Sequence, residues 1–146
     1  MSTKWYGSLD NRLEEGKMYC DKIEVGTPMT EYFYSDSHAW EVIKVFDQKH
    51  VIVRRFTVKC IGGFASNQWE LTSDEKNVTM ELKFRYGKWW KVIRWRKDQI
   101  DNPLCWRMPQ DVKEKLLNGK NEVITYSPTP GKLSFGIARE YYDYSF

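Results

Sequence analysis

The segment Thr79-Met-Glu-Leu-Lys-Phe-Arg-Tyr86 alternates with a strict period of two, apolar at Met80, Leu82, Phe84 and Tyr86 and charged at Glu81, Lys83 and Arg85. Side chains leave an extended strand on opposite faces in turn, whereas a helix would scatter this apolar set around its circumference. The segment is therefore a strand with one buried face and one exposed face. The next residues, Tyr86-Gly87, suit a tight reversal, with Gly accepting the positive φ such a turn needs. A two-residue loop sets Phe84 opposite Trp89, Lys83 opposite Trp90 and Arg85 opposite Lys88. Met80, Leu82, Phe84, Trp89, Ile93 and Trp95 then form the core side. Lys83, Arg85, Lys88, Trp90, Arg94 and Arg96 form the other.

The same character recurs along the chain. Short runs rich in Val, Ile, Tyr, Phe and Trp predict strands near Met29–Tyr34, Trp40–Phe46, Val51–Cys60, Gln68–Leu71, Val78–Tyr86 and Trp89–Trp95, separated by Ser/Asp/Asn/Gly turns. Gly62-Gly63 is one of those turns. Residues 109–119 place Pro near a helix start, Val112, Leu116 and Leu117 on one side and Gly119 as terminator, which predicts one short amphipathic helix. Strand character returns at Val123–Tyr126 and Lys132–Ile137. Leu9 and Leu13, with Gly16 after them, suggest one or two helical turns at the start.

A chain of 146 residues with 41% hydrophobic content is long and apolar enough to bury one core. The organisation expected is a single domain over 1–146: an accessory segment at 1–28, an antiparallel meander at 29–97, a loop and helix at 98–120 and closing strands at 121–146. The fold class is mainly β (α+β), a curved antiparallel sheet or small barrel, since closure removes exposed edges. The C-terminal-half helix plugs one end.

Cys20, Cys60 and Cys105 are odd in number and widely spaced, which fits neither a disulfide framework nor a zinc site. They read as reduced thiols in a cytosolic protein. No apolar run approaches the roughly 20 residues that cross a bilayer. His38 and His50 read as turn residues, and no metal or cofactor is expected. Nucleophile elbows, phosphate-cradling glycine loops and dinucleotide fingerprints are absent from the sequence. An enzyme would have to rely on carboxylates such as Glu140 and Asp143.

Chemistry concentrates instead in Lys83–Lys97, where seven cations and five aromatic rings occur without a carboxylate. Arg85 facing Lys88 is unfavourable unless something anionic lies over them. Lys83, Arg85, Lys88 and Arg94 can donate to phosphate, with Trp90 as the plate on which a base stacks. Arg54, from a second cluster with Arg55, Lys49 and Lys59, and Tyr142, from the aromatic C-terminus, complete the candidate set. The bland alternative is that Lys and Arg stems lie across Trp90 as solvated cation–π partners and that Glu81 or Glu140 neutralises the excess.

The Tyr34-Ser-Asp36 turn, the Val42–Val53 region and the closing Tyr141-Tyr-Asp-Tyr-Ser-Phe146 resemble a group of small accessory proteins encoded by phages and prophages of Gram-positive bacteria. That group has no assigned site, so no residue role is carried over. The resemblance implies a phage accessory protein in the cytoplasm of a bacterial host. Together these readings lead to a non-enzymatic counter-defence protein that sequesters an anionic, nucleotide-derived immune signal. The alternative is a macromolecule binder, acting on nucleic acid or directly inhibiting a host defence nuclease as an anti-CRISPR does. A virion or assembly role is a third reading, and homo-oligomerisation is compatible with the first.

Overall fold

The computed structural model describes residues 18–33, 35–63, 67–100, 108–129 and 131–142. The helical turns expected around Leu9 and Leu13 lie outside them. The strands are β1 (Pro28–Tyr32), β2 (Ser37–Asp47), β3 (His50–Arg55), β4 (Thr57–Ile61), β5 (Gln68–Thr72), β6 (Thr79–Arg85), β7 (Lys88–Arg96), β8 (Glu122–Pro128) and β9 (Lys132–Phe135). Seven of them build one antiparallel sheet in the order β8-β7-β6-β3-β2-β1-β9, and β4 and β5 form a separate ribbon. The fold is mainly β, as the alternation pattern requires.

The sheet is open, and the barrel alternative is replaced. Strands β8 and β9 are its two edges and do not pair with each other. The physical reason lies at β9, where the Tyr19 N–H donates to the Phe135 carbonyl at 2.8 Å. An N-terminal segment thus holds an edge that closure would have needed. Curvature is still strong, because β2 carries irregularities between Val42 and Lys44 and between Val45 and Asp47, and bulges bend a strand.

The inner face of the curl carries the main core: Ile23, Met29, Trp40, Val42, Val51, Val53, Met80, Leu82, Leu133 and Phe135. Each such side chain withdrawn from water contributes about 1.5–3 kcal/mol before ordering costs. Trp89 packs against this core as its parity demands. The helix α1 (Gln110–Leu117) follows Pro109 and ends with the Lys120 N–H on the Lys115 carbonyl and the Gly119 N–H on the Leu116 carbonyl. It does not plug the main core. Val112 and Leu116 make a second cluster with Val123, against which Trp95, Ile100 and Met108 pack.

The single strand expected over Val51–Cys60 is broken at Phe56. Both sides of the Arg55 end of β3 are occupied, by β2 at Trp40 and by the Val78 carbonyl, which takes the Arg55 N–H at 2.9 Å. Beyond it the chain leaves the main sheet and continues as β4, with Gly62 and Gly63 at positive φ before β5. No helix among the described residues is long and apolar enough to cross a membrane.

Candidate functional site

The β6–β7 hairpin has the register its sequence predicts, with Lys83↔Trp90, Phe84↔Trp89 and Arg85↔Lys88. Its two-residue turn places Tyr86 at φ 53° and Gly87 at φ 78°. Glycine accepts this at little cost, whereas a tyrosine there is strained. Tyr86 is nevertheless 86% exposed at the tip.

Two zones divide the outer face of this sheet. The first is a neutralised ladder. Lys44 lies over the Phe46 ring at 4.6 Å, and Phe46 stacks on His50 at 4.3 Å. His50 Nε2 meets Glu81 Oε2 at 2.6 Å. Arg94 donates to both Glu81 oxygens, from Nε at 2.8 Å and from its terminal nitrogen at 2.9 Å, and its other terminal nitrogen reaches Glu122 at 2.7 Å. Those Arg94 bonds hold the Glu81 carboxyl down at about 2, with burial opposing and His50 assisting. The same bonds raise the Arg94 pKa further.

The second zone lies toward the hairpin tip, where no acid pairs with the cations among the described residues. Lys83, Arg85 and Lys88 make no ion pair among the described residues. The Arg85 guanidinium lies 4.5 Å from the centre of the Tyr126 ring on β8 and 5.3 Å from that of Tyr86. The Trp90 indole N–H donates to the Arg85 carbonyl at 3.0 Å, which fixes the ring across the hairpin. The Lys88 ammonium sits over that ring at 4.2 Å. Contact with two rings holds Arg85 in place while its N–H groups keep their donor capacity, a suitable state for receiving a phosphate.

Of the residues expected to form the site, Lys83, Arg85, Lys88 and Trp90 come together. Arg94 shares their strand face but belongs to the neutralised ladder, so the expectation that Glu81 neutralises part of the excess holds there. Arg54 is paired with Glu41 at 2.6 Å, and that carboxylate also takes the Ser73 hydroxyl. Arg55, its neighbour in sequence, bonds Glu140 at 2.8 Å on the opposite face of the sheet. Tyr142 is 48% exposed on a segment whose backbone is tied twice to Asn67, ahead of β5, and so is carried by a different element from the hairpin tip. Sequence reasoning missed Tyr126, although the parity of Val123–Tyr126 would have put it on the outer face beside Ile124.

The remaining polar groups act structurally. Glu140 accepts from the Ala39 N–H and the Arg55 guanidinium, locking the C-terminal segment to β2. Asp143 lies outside the described residues. His38 and His50 are strand residues rather than turn residues, because each falls inside a paired register. Burial, reinforced by Arg55, pushes the His38 pKa down. Cys20 and Cys60 are in no disulfide among the described residues, and no described cluster of His, Cys, Asp and Glu is placed to hold a metal.

No protein-family model matches the chain, and no curated protein or solved structure matches it either.

Proposed function

We propose that this is a non-enzymatic binding protein that takes a phosphate-bearing, base-carrying ligand on the outer face of the β6–β7–β8 tip. In the phage setting that its sequence resembles, the ligand is a nucleotide-derived immune signal and the protein is a counter-defence sponge. The observation that carries this reading is the cluster of Lys83, Arg85 and Lys88 beside Trp90 and Tyr126, three cations that no acid pairs among the described residues. A structural surface has no need to leave them so, since Glu81 and Glu122 neutralise Arg94 on the same face.

Magnitudes support a ligand displacing the internal contact. Lys88 over Trp90 contributes about 0.5–1 kcal/mol as an exposed cation–π pair. A base stacked on the ring contributes about 1–3 kcal/mol, and the displaced ammonium becomes a donor to the adjoining phosphate. Arg85 keeps its contacts with the Tyr86 and Tyr126 rings as that phosphate arrives.

A second reading is favoured by one feature: the cations and rings lie along the outside of a curved sheet. Such a face suits a strand of nucleic acid as well as a mononucleotide. Titration of intrinsic Trp fluorescence with cyclic dinucleotides, nucleoside triphosphates and a short single-stranded oligonucleotide separates the cases. The sponge reading expects saturable binding of a small nucleotide that is lost in Trp90→Ala and weakened in Arg85→Ala. Nucleic-acid binding expects affinity that falls steeply with salt, with each of Lys83, Arg85 and Lys88 reducing the slope by about 1 when removed. Absence of binding to all three ligands, with salt-insensitive inhibition of a purified host nuclease, would replace both with direct protein occlusion.

A further inference from the structure

We infer that β8 pairs antiparallel with β8 of a second copy of this chain, joining two open sheets into one. The phase of the β7–β8 ladder is set by the bond from the Lys97 N–H to the Asn121 carbonyl at 3.4 Å, which continues the Trp95↔Val123 register. Hydrogen-bonded pairs alternate along an antiparallel ladder, so Val123, Thr125 and Ser127 turn their backbone groups toward β7. Glu122, Ile124 and Tyr126 turn theirs outward. No hydrogen bond to these outward backbone groups is made among the described residues.

The two edges of the sheet are therefore unlike. At β9 the Phe135 carbonyl takes the Tyr19 N–H, whereas the outward groups of β8 take no such bond among the described residues. Edge strands are usually blunted by charges, bulges or proline. In β8 the charge is at one end, Glu122, and the proline at the other, Pro128. Between them run Val-Ile-Thr-Tyr-Ser, paired to β7 without a register shift. Pro128 falls in the outward phase, where its missing N–H leaves the β7 ladder intact.

The strand is complementary to itself. A two-fold axis at Thr125 sets Ile124 opposite Tyr126 of the second copy, twice, and each of these pairs exchanges two N–H···O bonds. Both side chains lie on the outer face, 44% and 38% exposed, and an aliphatic group packs well on an aromatic ring across strands. Antiparallel pairing also brings the Glu122 end of each copy beside the cationic tip of the other. A parallel arrangement would set the two Lys83–Arg85–Lys88 tips side by side.

Mass photometry and light scattering of the full chain at micromolar concentration test this. The wild type is expected at twice the chain mass, and Ile124→Pro at the chain mass with an unchanged circular dichroism spectrum, since the amide it removes points away from β7. Ile124→Lys, which keeps the amide and adds charge to the edge, is expected to be monomeric too. A wild type that is monomeric throughout the range, or a folded Ile124→Pro and Ile124→Lys pair that both remain dimeric, would overturn the inference. A monomeric wild type that recruits another protein through this edge, and loses it in Ile124→Pro, would assign β8 to a foreign strand and overturn it as well. None of these readouts depends on the nucleotide reading.

Discussion

Trp89 on β7 meets Phe135 on β9 with ring centroids 4.9 Å apart, although four strands lie between them in the sheet. A flat sheet would separate the two rings by several strand spacings of about 4.8 Å each. Their contact therefore measures how far the sheet curls. It also separates the two indoles of the Trp89-Trp90 pair, one held inside the curl and one on its outer face.

Truncating these neighbours should have opposite consequences. Trp89→Ala removes a ring that packs on the core and on Phe84 at 5.4 Å, and should cost about 3 kcal/mol in urea-monitored unfolding. Trp90→Ala should cost about 1 kcal/mol or less, the scale of the exposed cation–π pair it breaks, while removing ligand binding. Similar stability losses in both variants would contradict the division of faces.

Glu81 should govern part of the acid limb. Its folded value of about 2 lies below its ordinary 4.5, so the unfolded chain binds the proton more readily. The stability this carboxylate contributes is fully present above its unfolded value and is lost as pH falls toward its folded one. Glu81→Gln should flatten the dependence of the urea midpoint on pH across that window. Arg94→Ala should move acid unfolding to higher pH and cost about 1 kcal/mol near neutrality, since the pair is partly exposed.

Glu31 should act with the opposite sign. It is 3% exposed on the inner face, and burial raises its pKa, opposed by the Gly131 N–H and by the nearby Trp40, Arg55 and Lys91. Its Oε2 and the Trp40 Nε1 complete no hydrogen bond among the described residues. A raised carboxyl pKa contributes stability below its unfolded value that is lost as pH rises through the folded one. Glu31→Gln should therefore raise the melting temperature at neutral pH, with the gain disappearing in acid. A lower melting temperature at neutral pH would show that the carboxylate is better satisfied than its surroundings indicate.

Gly136 should tolerate no side chain. Its φ is +101°, and a Cβ there would lie 2.5 Å from the Tyr19 carbonyl carbon and 2.8 Å from the Cys20 nitrogen. Gly136→Ala should cost about 1–3 kcal/mol through backbone strain alone. It should also push the N-terminal segment off the β9 edge, which hydrogen exchange at the Tyr19 amide would report as lost protection.

The sequence by itself determined whatever depends on a few consecutive residues. The period-two pattern of 79–86 made a strand, Tyr86-Gly87 set the hairpin register to the residue, and Pro109 and Gly119 bounded the helix. These are local matters of backbone sterics and parity, and they put Lys83, Arg85, Lys88 and Trp90 on one face. Tertiary structure alone decided which cations keep their charge uncompensated, because that depends on which distant strands become neighbours. Arg55 meets Glu140, 85 positions further along the chain, whereas Arg85 meets the rings of Tyr86 and Tyr126 and no acid among the described residues. Closure was likewise beyond local reach: whether two edges join depends on what already occupies them, and here the segment at Tyr19 holds one while the other pairs with no further strand among the described residues.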